Sequence, residues 1–148
     1  MKCMGVDLGR RRIGLALGES EAHLAWPLGT VNVEGDPFFA LDEIARIARE
    51  NGVRLVAVGL PLNMDGSAGP SAKTALRWKK ALEKRLSCRV VMSDERLTTA
   101  GAHKELESLG MRAKNHMRVV DQLSAVMILQ SAMEKEEVGE SGDPGRRA

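Results

Sequence analysis

The chain has 148 residues, about the length of one domain, and can bury roughly two-thirds of its unfolded surface around a single core. Hydrophobic residues at 43% and charged residues at 28% describe an ordinary globular protein, while aromatics at 3% with no Tyr argue against an aromatic base-stacking platform. The 22 Lys plus Arg face 20 Asp plus Glu, so a net charge of +2 and a pI near 8.7 exclude a globally basic surface, and any phosphate-binding patch must be local.

Lys2-Cys3-Met4-Gly5-Val6-Asp7-Leu8 reads as a strand apolar on both faces, which is the pattern of a central strand covered on two sides. Asp7 breaks that pattern. A carboxylate removed from water costs several kcal/mol unless it is paired, hydrogen-bonded or bound to a cation, so Asp7 is either a turn cap or the first ligand of a metal site. The basic turn Arg10-Arg11-Arg12 follows, and Ile13 to Gly18 is a second short apolar run that makes an antiparallel hairpin with the first. A third strand is expected within Ala25 to Val33. Asp36-Pro37 then supplies a cap and a proline at the first helical position. Leu41, Ile44, Ala45 and Ala48 form the buried face of that helix until Asn51-Gly52 stops it.

Leu55 to Leu60 is another doubly apolar strand, and it runs into a polar Gly/Pro-rich loop from Pro61 to Pro70. The helix predicted from about Ser71 to Leu86 carries Lys73, Arg77, Lys80 and Lys84 along one stripe, read as a solvated face with a phosphate track as its rival. Arg89 to Ser93 is the last strand and delivers Asp94-Glu95-Arg96 to its carboxyl end. Thr98 or Thr99 caps a helix to Leu109, and Met111 to Arg118, with Arg112, Lys114, His116 and Arg118 at no clear period, is expected to be a mobile basic loop. The final helix, about Val119 to Val138, is apolar over a wide arc. The residues from 139 to 148 read as a disordered tail, leaving 1–138 as one domain.

This order predicts an α/β fold: a mixed five-stranded sheet with an N-terminal antiparallel hairpin and helices on both faces. Sites in such sheets form at the carboxyl ends of the parallel strands, where Asp7, the loop after Leu60 and Asp94-Glu95 would all arrive. Asp121, expected in the first turn of the last helix, lies in line with Ala125, Ile128 and Ala132 and so with buried positions; the plainer reading is an acid on a helix dipole. Converging carboxylates repel unless a cation neutralises them, and a hard divalent ion, Mg²⁺ or Mn²⁺, suits oxygen donors and phosphodiester cleavage. Strand alternation lets only one of Asp94 and Glu95 face Asp7, and Glu95 is favoured, with Asp94 fixing Arg96 or the loop. His23, His103 and His116 have no metal-ligand spacing. Cys3 and Cys88 read as small apolar residues.

Four segments in order resemble the YqgF-type family of pre-16S rRNA nucleases and Holliday junction resolvases, which has a ribonuclease H-like fold. They are Gly5-Val6-Asp7-Leu8-Gly9 with Ile13-Gly14, then Val58 to Gly66, then Asp94-Glu95-Arg96-Leu97-Thr98-Thr99, and Val120-Asp121 with Ser124-Ala125. The resemblance implies a metal-dependent nuclease with Asp7, Glu95 and Asp121 as its acids and metal ligands. The loop carrying Asn63 and Asp65 would lie at the rim of the site. Arg10, Arg11, Arg12, Arg112, Lys114 and Arg118 would hold nucleic-acid backbone, with Arg96 and Thr98 beside the acids. Arg10 to Arg12 is more basic than the smaller, polar residues this family usually carries there. Within the family's roles, trimming the 5′ end of the small-subunit rRNA precursor is favoured over junction resolution; a catalytically silent binding module is a third reading. A sugar-kinase or chaperone ATPase, which also opens on Asp-x-Gly and a hairpin, needs two lobes and finds only one here. The expected setting is cytoplasmic, without membrane contact, as a monomer or homodimer.

Overall fold

The computed structural model describes residues 1–33, 35–94 and 113–140. Strands β1 (Lys2–Leu8), β2 (Arg12–Glu19) and β3 (Leu24–Asn32) precede α1 (Pro37–Glu50), β4 (Leu55–Leu60), α2 (Pro70–Arg85), β5 (Arg89–Asp94) and α3 (Ala113–Glu140). The expected mixed sheet is present, in the order β3-β2-β1-β4-β5, with β1, β2 and β3 antiparallel in turn and β1, β4 and β5 parallel. β1 is central because both of its faces are apolar, and each face buries a different layer.

On one face, Met4 and Val6 join Ile13, Leu15, Val56, Val58 and Val90 beneath α1 and α2, which contribute Leu41, Ile44, Ala48, Ala75 and Leu82. Helix α1 starts where Asp36 accepts a hydrogen bond from the Phe38 amide at 2.9 Å, a cap of about 1 kcal/mol. Its buried residues are the expected Leu41, Ile44, Ala45 and Ala48, with Ala40 added, and it ends at Asn51 before Gly52 with φ +65°. On the other face Cys3, Ala16, Leu55 and Ala57 meet Ala125, Ile128, Leu129, Ala132 and Met133 of α3. Apart from Leu55 that floor is made of small residues, with Gly5 and Gly14 beside them, so α3 lies close on the sheet. A Cβ on Gly5 would come within 2.3 Å of the Ala125 carbonyl oxygen, a separation that only glycine allows.

Two expectations for the C-terminal third are corrected. Residues 113–118, expected as a mobile loop, are helical, because no Gly or Pro interrupts the chain from 113 to 138 and Lys114 and Arg118 are sound helix formers. The charged residues there merely lack the period that a buried face would impose. The same helix runs two residues into the stretch expected to be a tail; 141–148, like the helix predicted up to Leu109, lies outside the described residues. Among the described residues no helix is long and apolar enough to cross a membrane.

Candidate active site

Alternation along β1 decides which way Asp7 faces. Met4, Val6 and Leu8 pack toward α1 and α2, whereas Cys3 packs under α3 and Gly5 touches it, so Asp7 belongs to the α3 face. In the antiparallel pair Asp7 is the register partner of Gly14. A Cβ on Gly14 would meet the Asp121 carbonyl oxygen at 2.1 Å and the Asp121 Cβ at 3.0 Å. The backbone of α3 at Asp121 therefore rests on the residue paired with Asp7. Two acids 114 positions apart in the chain become neighbours across one glycine.

Helix α3 begins eight residues before Asp121, which places that acid in the third turn rather than the first. The helix dipole acts within the first turn, so it cannot account for a carboxylate at this position. Asp121 is held otherwise. Arg12 Nε donates to its Oδ2 at 3.1 Å, and the two side chains are only 24% and 15% exposed. Arg12 was expected to hold substrate backbone, and in this structure its guanidinium neutralises an acid of the site. Beside the pair, Gly9, Arg10, Arg11, Arg12 and Asp121 line a hollow of about 270 Å³, and Arg10 and Arg11 are exposed on its rim. The turn itself closes through the Gly9 amide on the Arg12 carbonyl at 3.0 Å.

On β5, Val90 and Met92 pack toward α1 and α2 while Val91 packs beneath α3. Alternation then turns Ser93 to the α3 side and Asp94 away from it. Asp94 is level with Leu60 at the carboxyl edge but faces the opposite layer from Asp7. Glu95, Arg96, Thr98 and Arg112 lie outside the described residues; Lys114 and Arg118 fall in the first two turns of α3. Among the described residues no group of three His, Cys, Asp or Glu side chains is gathered closely enough to hold a metal ion. The acids whose backbone positions the fold brings together, Asp7 and Asp121, offer hard carboxylate oxygens, and Asp121 already takes a cationic partner in the Arg12 guanidinium. Both features fit a divalent ion with a preference for oxygen ligands.

The loop after β4 organises itself. Asp65 Oδ1 accepts from the Ser67 amide at 2.9 Å and from its hydroxyl at 2.6 Å, Asn63 Nδ2 donates to Ser67 Oγ at 3.0 Å, and Gly66 takes φ +88°. Asn63 and Asp65 thus shape an Asx-type turn within the loop. Of the stripe on α2, Lys73, Arg77, Lys80 and Lys84 are all exposed, as a solvated face requires. The feature that sequence reasoning missed is the pairing of Arg12 with Asp121, since nothing in a basic turn names an acid 109 residues away.

Comparison with known proteins gives a consistent set of relatives. The profile of the RuvX family, described as Holliday junction resolvase, matches residues 1–135. A Bifidobacterium longum subsp. infantis protein named as a candidate pre-16S rRNA nuclease is 45% identical over 148 residues, covering 91% of this chain and 98% of its own. A Chloroflexus aggregans protein of the same name is 43% identical over 131 residues, covering 88% and 92%. Among solved structures, T. thermophilus RuvC in complex with a Holliday junction superposes with a TM-score of 0.61 at 16% identity, covering 94% of this chain and 97% of that one. The Fowlpox virus resolvase bound to junction DNA gives 0.57 at 10% identity, covering 91% and 98%. At those identities the likeness establishes the ribonuclease H-like fold.

Proposed function

We infer, from the premise that this chain belongs to the RuvX family of Holliday junction resolvases, that it is a hydrolytic nuclease whose substrate is the 5′ end of the small-subunit rRNA precursor. The curated relatives, at 45% and 43% identity over nearly their whole length, support the RNA assignment. One observation supports the chemistry: the Asp121 backbone rests on Gly14, the register partner of Asp7, so the two acid-bearing positions are neighbours at the carboxyl end of β1.

Asp7 and Asp121 would hold a divalent cation, Mg²⁺ or Mn²⁺, with Glu95 as the third ligand because Asp94 faces the other layer. When bound, that ion supplies activation of an attacking water and neutralisation of the charge developing on phosphate. Arg12 orients Asp121 beforehand through its hydrogen bond to Oδ2. Arg10 and Arg11, exposed beside the acids, hold the substrate backbone, and Arg112, Lys114 and Arg118 extend that contact along the strand. Arg96 and Thr98, one and three residues after Glu95, orient the substrate phosphate beside it. The loop held by Asn63 and Asp65 limits the approach from the β4 side. Affinity should fall steeply with salt, since the phosphate contacts are local and release counterions. The chain acts in the cytoplasm.

Junction resolution is a second reading, favoured by the family description and by the two junction-bound neighbours of the same fold. The test offers the purified protein a labelled rRNA precursor and a four-way DNA junction side by side with each metal. We expect cleavage of the precursor, lost in Asp7→Asn and in Asp121→Asn while circular dichroism stays native. Cleavage of the junction alone would select the second reading. Tight RNA binding unaffected by Asp7→Asn, with neither substrate cut, would instead identify a binding module.

A further inference from the structure

The other layer of the same edge holds a larger hollow. A cavity of about 670 Å³ opens between the starts of α1 and α2, within the 300–1,000 Å³ typical of small-ligand sites. Its apolar walls include Phe38 and Trp78, and its polar groups are Arg10, Arg77, Ser71 and Thr74; no acid lines it among the described residues. Phe38 is fixed from one side by the Arg85 guanidinium, 5.7 Å from the ring centre, and Arg85 is itself anchored to Asp42 at 2.9 Å. Arg77 Nη2 donates to Thr74 Oγ1 at 3.1 Å, which turns its guanidinium along the rim. Arg77 is also the one member of the α2 basic stripe that reaches the cavity.

We propose that this cavity takes one unpaired nucleotide of the substrate strand, next to the segment held at the acids. Arg10 is the reason for choosing this occupant. It lines both this cavity and the hollow that contains Arg12 and Asp121, so a strand whose phosphates follow the basic turn passes from one to the other without leaving positive charge. The chemistry matches an unstacked base. Phe38 and Trp78, too few for the platform that the composition argues against, can take the faces or edges of a single base. The Ser71 hydroxyl can bond its polar rim while the Thr74 hydroxyl is held by the Pro70 carbonyl at 3.1 Å, and Arg10 and Arg77 flank the base where its two phosphates would lie. An apolar ligand would leave two arginines without use, and a free anion would not need the aromatic walls. The inference rests on the nuclease reading and adds to it a means of selecting single-stranded over paired substrate.

The chain has two tryptophans, Trp26 and Trp78, and Trp26 lies on β3 opposite Leu17, toward the other end of the sheet. In Trp26→Phe, Trp78 is the sole reporter. Titration with a pentanucleotide in metal-free buffer should quench its emission saturably, and the Trp78→Phe protein, which reports only Trp26, should not respond. Arg77→Ala should lower the slope of log affinity against log salt by about 0.7, the loss of one single-strand phosphate contact. Thr74→Glu, which places an acid in the wall, should weaken binding by about tenfold or more and raise KM for cleavage with kcat retained. A 5′-mononucleotide that quenches as tightly as the pentanucleotide would overturn the strand assignment in favour of a free nucleotide. Unchanged Trp78 emission in a Trp26→Phe protein that still cleaves would remove the cavity from the substrate path. Quenching without cleavage of any substrate would keep the cavity and reject the nuclease reading, so the two failures are separable.

Discussion

Gly14→Ala tests the site through a single methyl group. The added Cβ would lie 2.1 Å from the Asp121 carbonyl oxygen, where ordinary contact begins at 3.4 Å, so about 1.3 Å must come from movement of α3 away from β2. The two nearest atoms, the Asp121 carbonyl oxygen and carbon at 2.1 and 2.4 Å, are backbone, which rules out relief by a side-chain rotation. Overpacking of this kind costs about 1–3 kcal/mol, or about 2–12 °C in Tm for a domain of this size. Lifting α3 also carries Asp121 away from Asp7, and a misplacement of about 1 Å at reacting groups can cost about 100-fold in rate. The loss should appear in kcat, because the backbone contacts on Arg10 and Arg11 are untouched. Gly18→Ala is the control: its Cβ would press on Leu24 O at 2.7 Å and on the Leu129 Cδ2 methyl at 2.8 Å, two turns further along α3. It should destabilise by a comparable amount while cleaving within about threefold of wild type. Steady-state cleavage and thermal melts of the two variants decide the matter. If Gly14→Ala melts lower but turns over at the wild-type rate, Asp121 does not depend on its seat, and the acid pair is not the reaction centre.

Arg12→Gln removes a charged hydrogen bond between two largely covered groups, at about 1.5–3 kcal/mol, and ends the competition between Arg12 and a divalent ion for Asp121 Oδ2. The variant should melt lower without metal, and the rise in Tm on adding Mn²⁺ should exceed that of wild type; equal rises would separate Arg12 from the ion's place. Cys3 is fully buried and Cys88 partly covered, and burial pushes both thiols above the ordinary 9.0. Since the folded thiol ionises later than the unfolded one, its contribution is complete below about pH 9 and is lost as pH rises from there through the folded value. Cys3→Ser should therefore flatten the fall of Tm with pH above 9, and mass mapping after native iodoacetamide treatment at pH 8 should find Cys88 modified and Cys3 protected.

The strands were legible because burial on both faces forces a doubly apolar run, and β1, β2 and β4 each present one. Helix α1 was legible at both ends because Asp36, Pro37 and Gly52 act through local backbone chemistry that needs no partner. The start of α3 was not. Lys114, His116 and Arg118 show no period because no single buried face constrains them, and a helix without such a face looks like a loop in a pattern search. The acids could be picked out as charges attached to apolar elements, and the order of elements sends Asp7 and Asp94 to one edge. Which acids meet depends on parity and on close approach, and only the second is invisible in sequence. Alternation already allowed just one of Asp94 and Glu95 to face Asp7, and the packing of Val90, Val91 and Met92 turns Asp94 away. That Gly14 seats Asp121, while Gly5 seats Ala125, depends on where a helix more than 100 residues later comes to lie.

The two faces of the sheet edge are built for different tasks, and that division has a measurable consequence. Beneath α3 the floor is Gly5, Gly14, Ala16 and Ala57, which lets a helix backbone settle at contact distance and fixes a carboxylate on it. Beneath α1 and α2 the floor is the larger Met4, Val6, Ile13 and Leu15, and beside it lies the hollow that Trp78 and Phe38 wall. A perturbation confined to one face should act on one kinetic constant. Gly14→Ala should lower kcat and Thr74→Glu should raise KM, and because the two positions lie on opposite faces of the sheet, their effects on kcat/KM should multiply. Independent sites add within about 0.3–0.5 kcal/mol, a factor of about 2 in the product. A double variant that departs from the product by tenfold would mean that strand placement in the cavity and geometry at the acids are one coupled process, and Arg10, common to both hollows, would be the first residue to examine for that coupling.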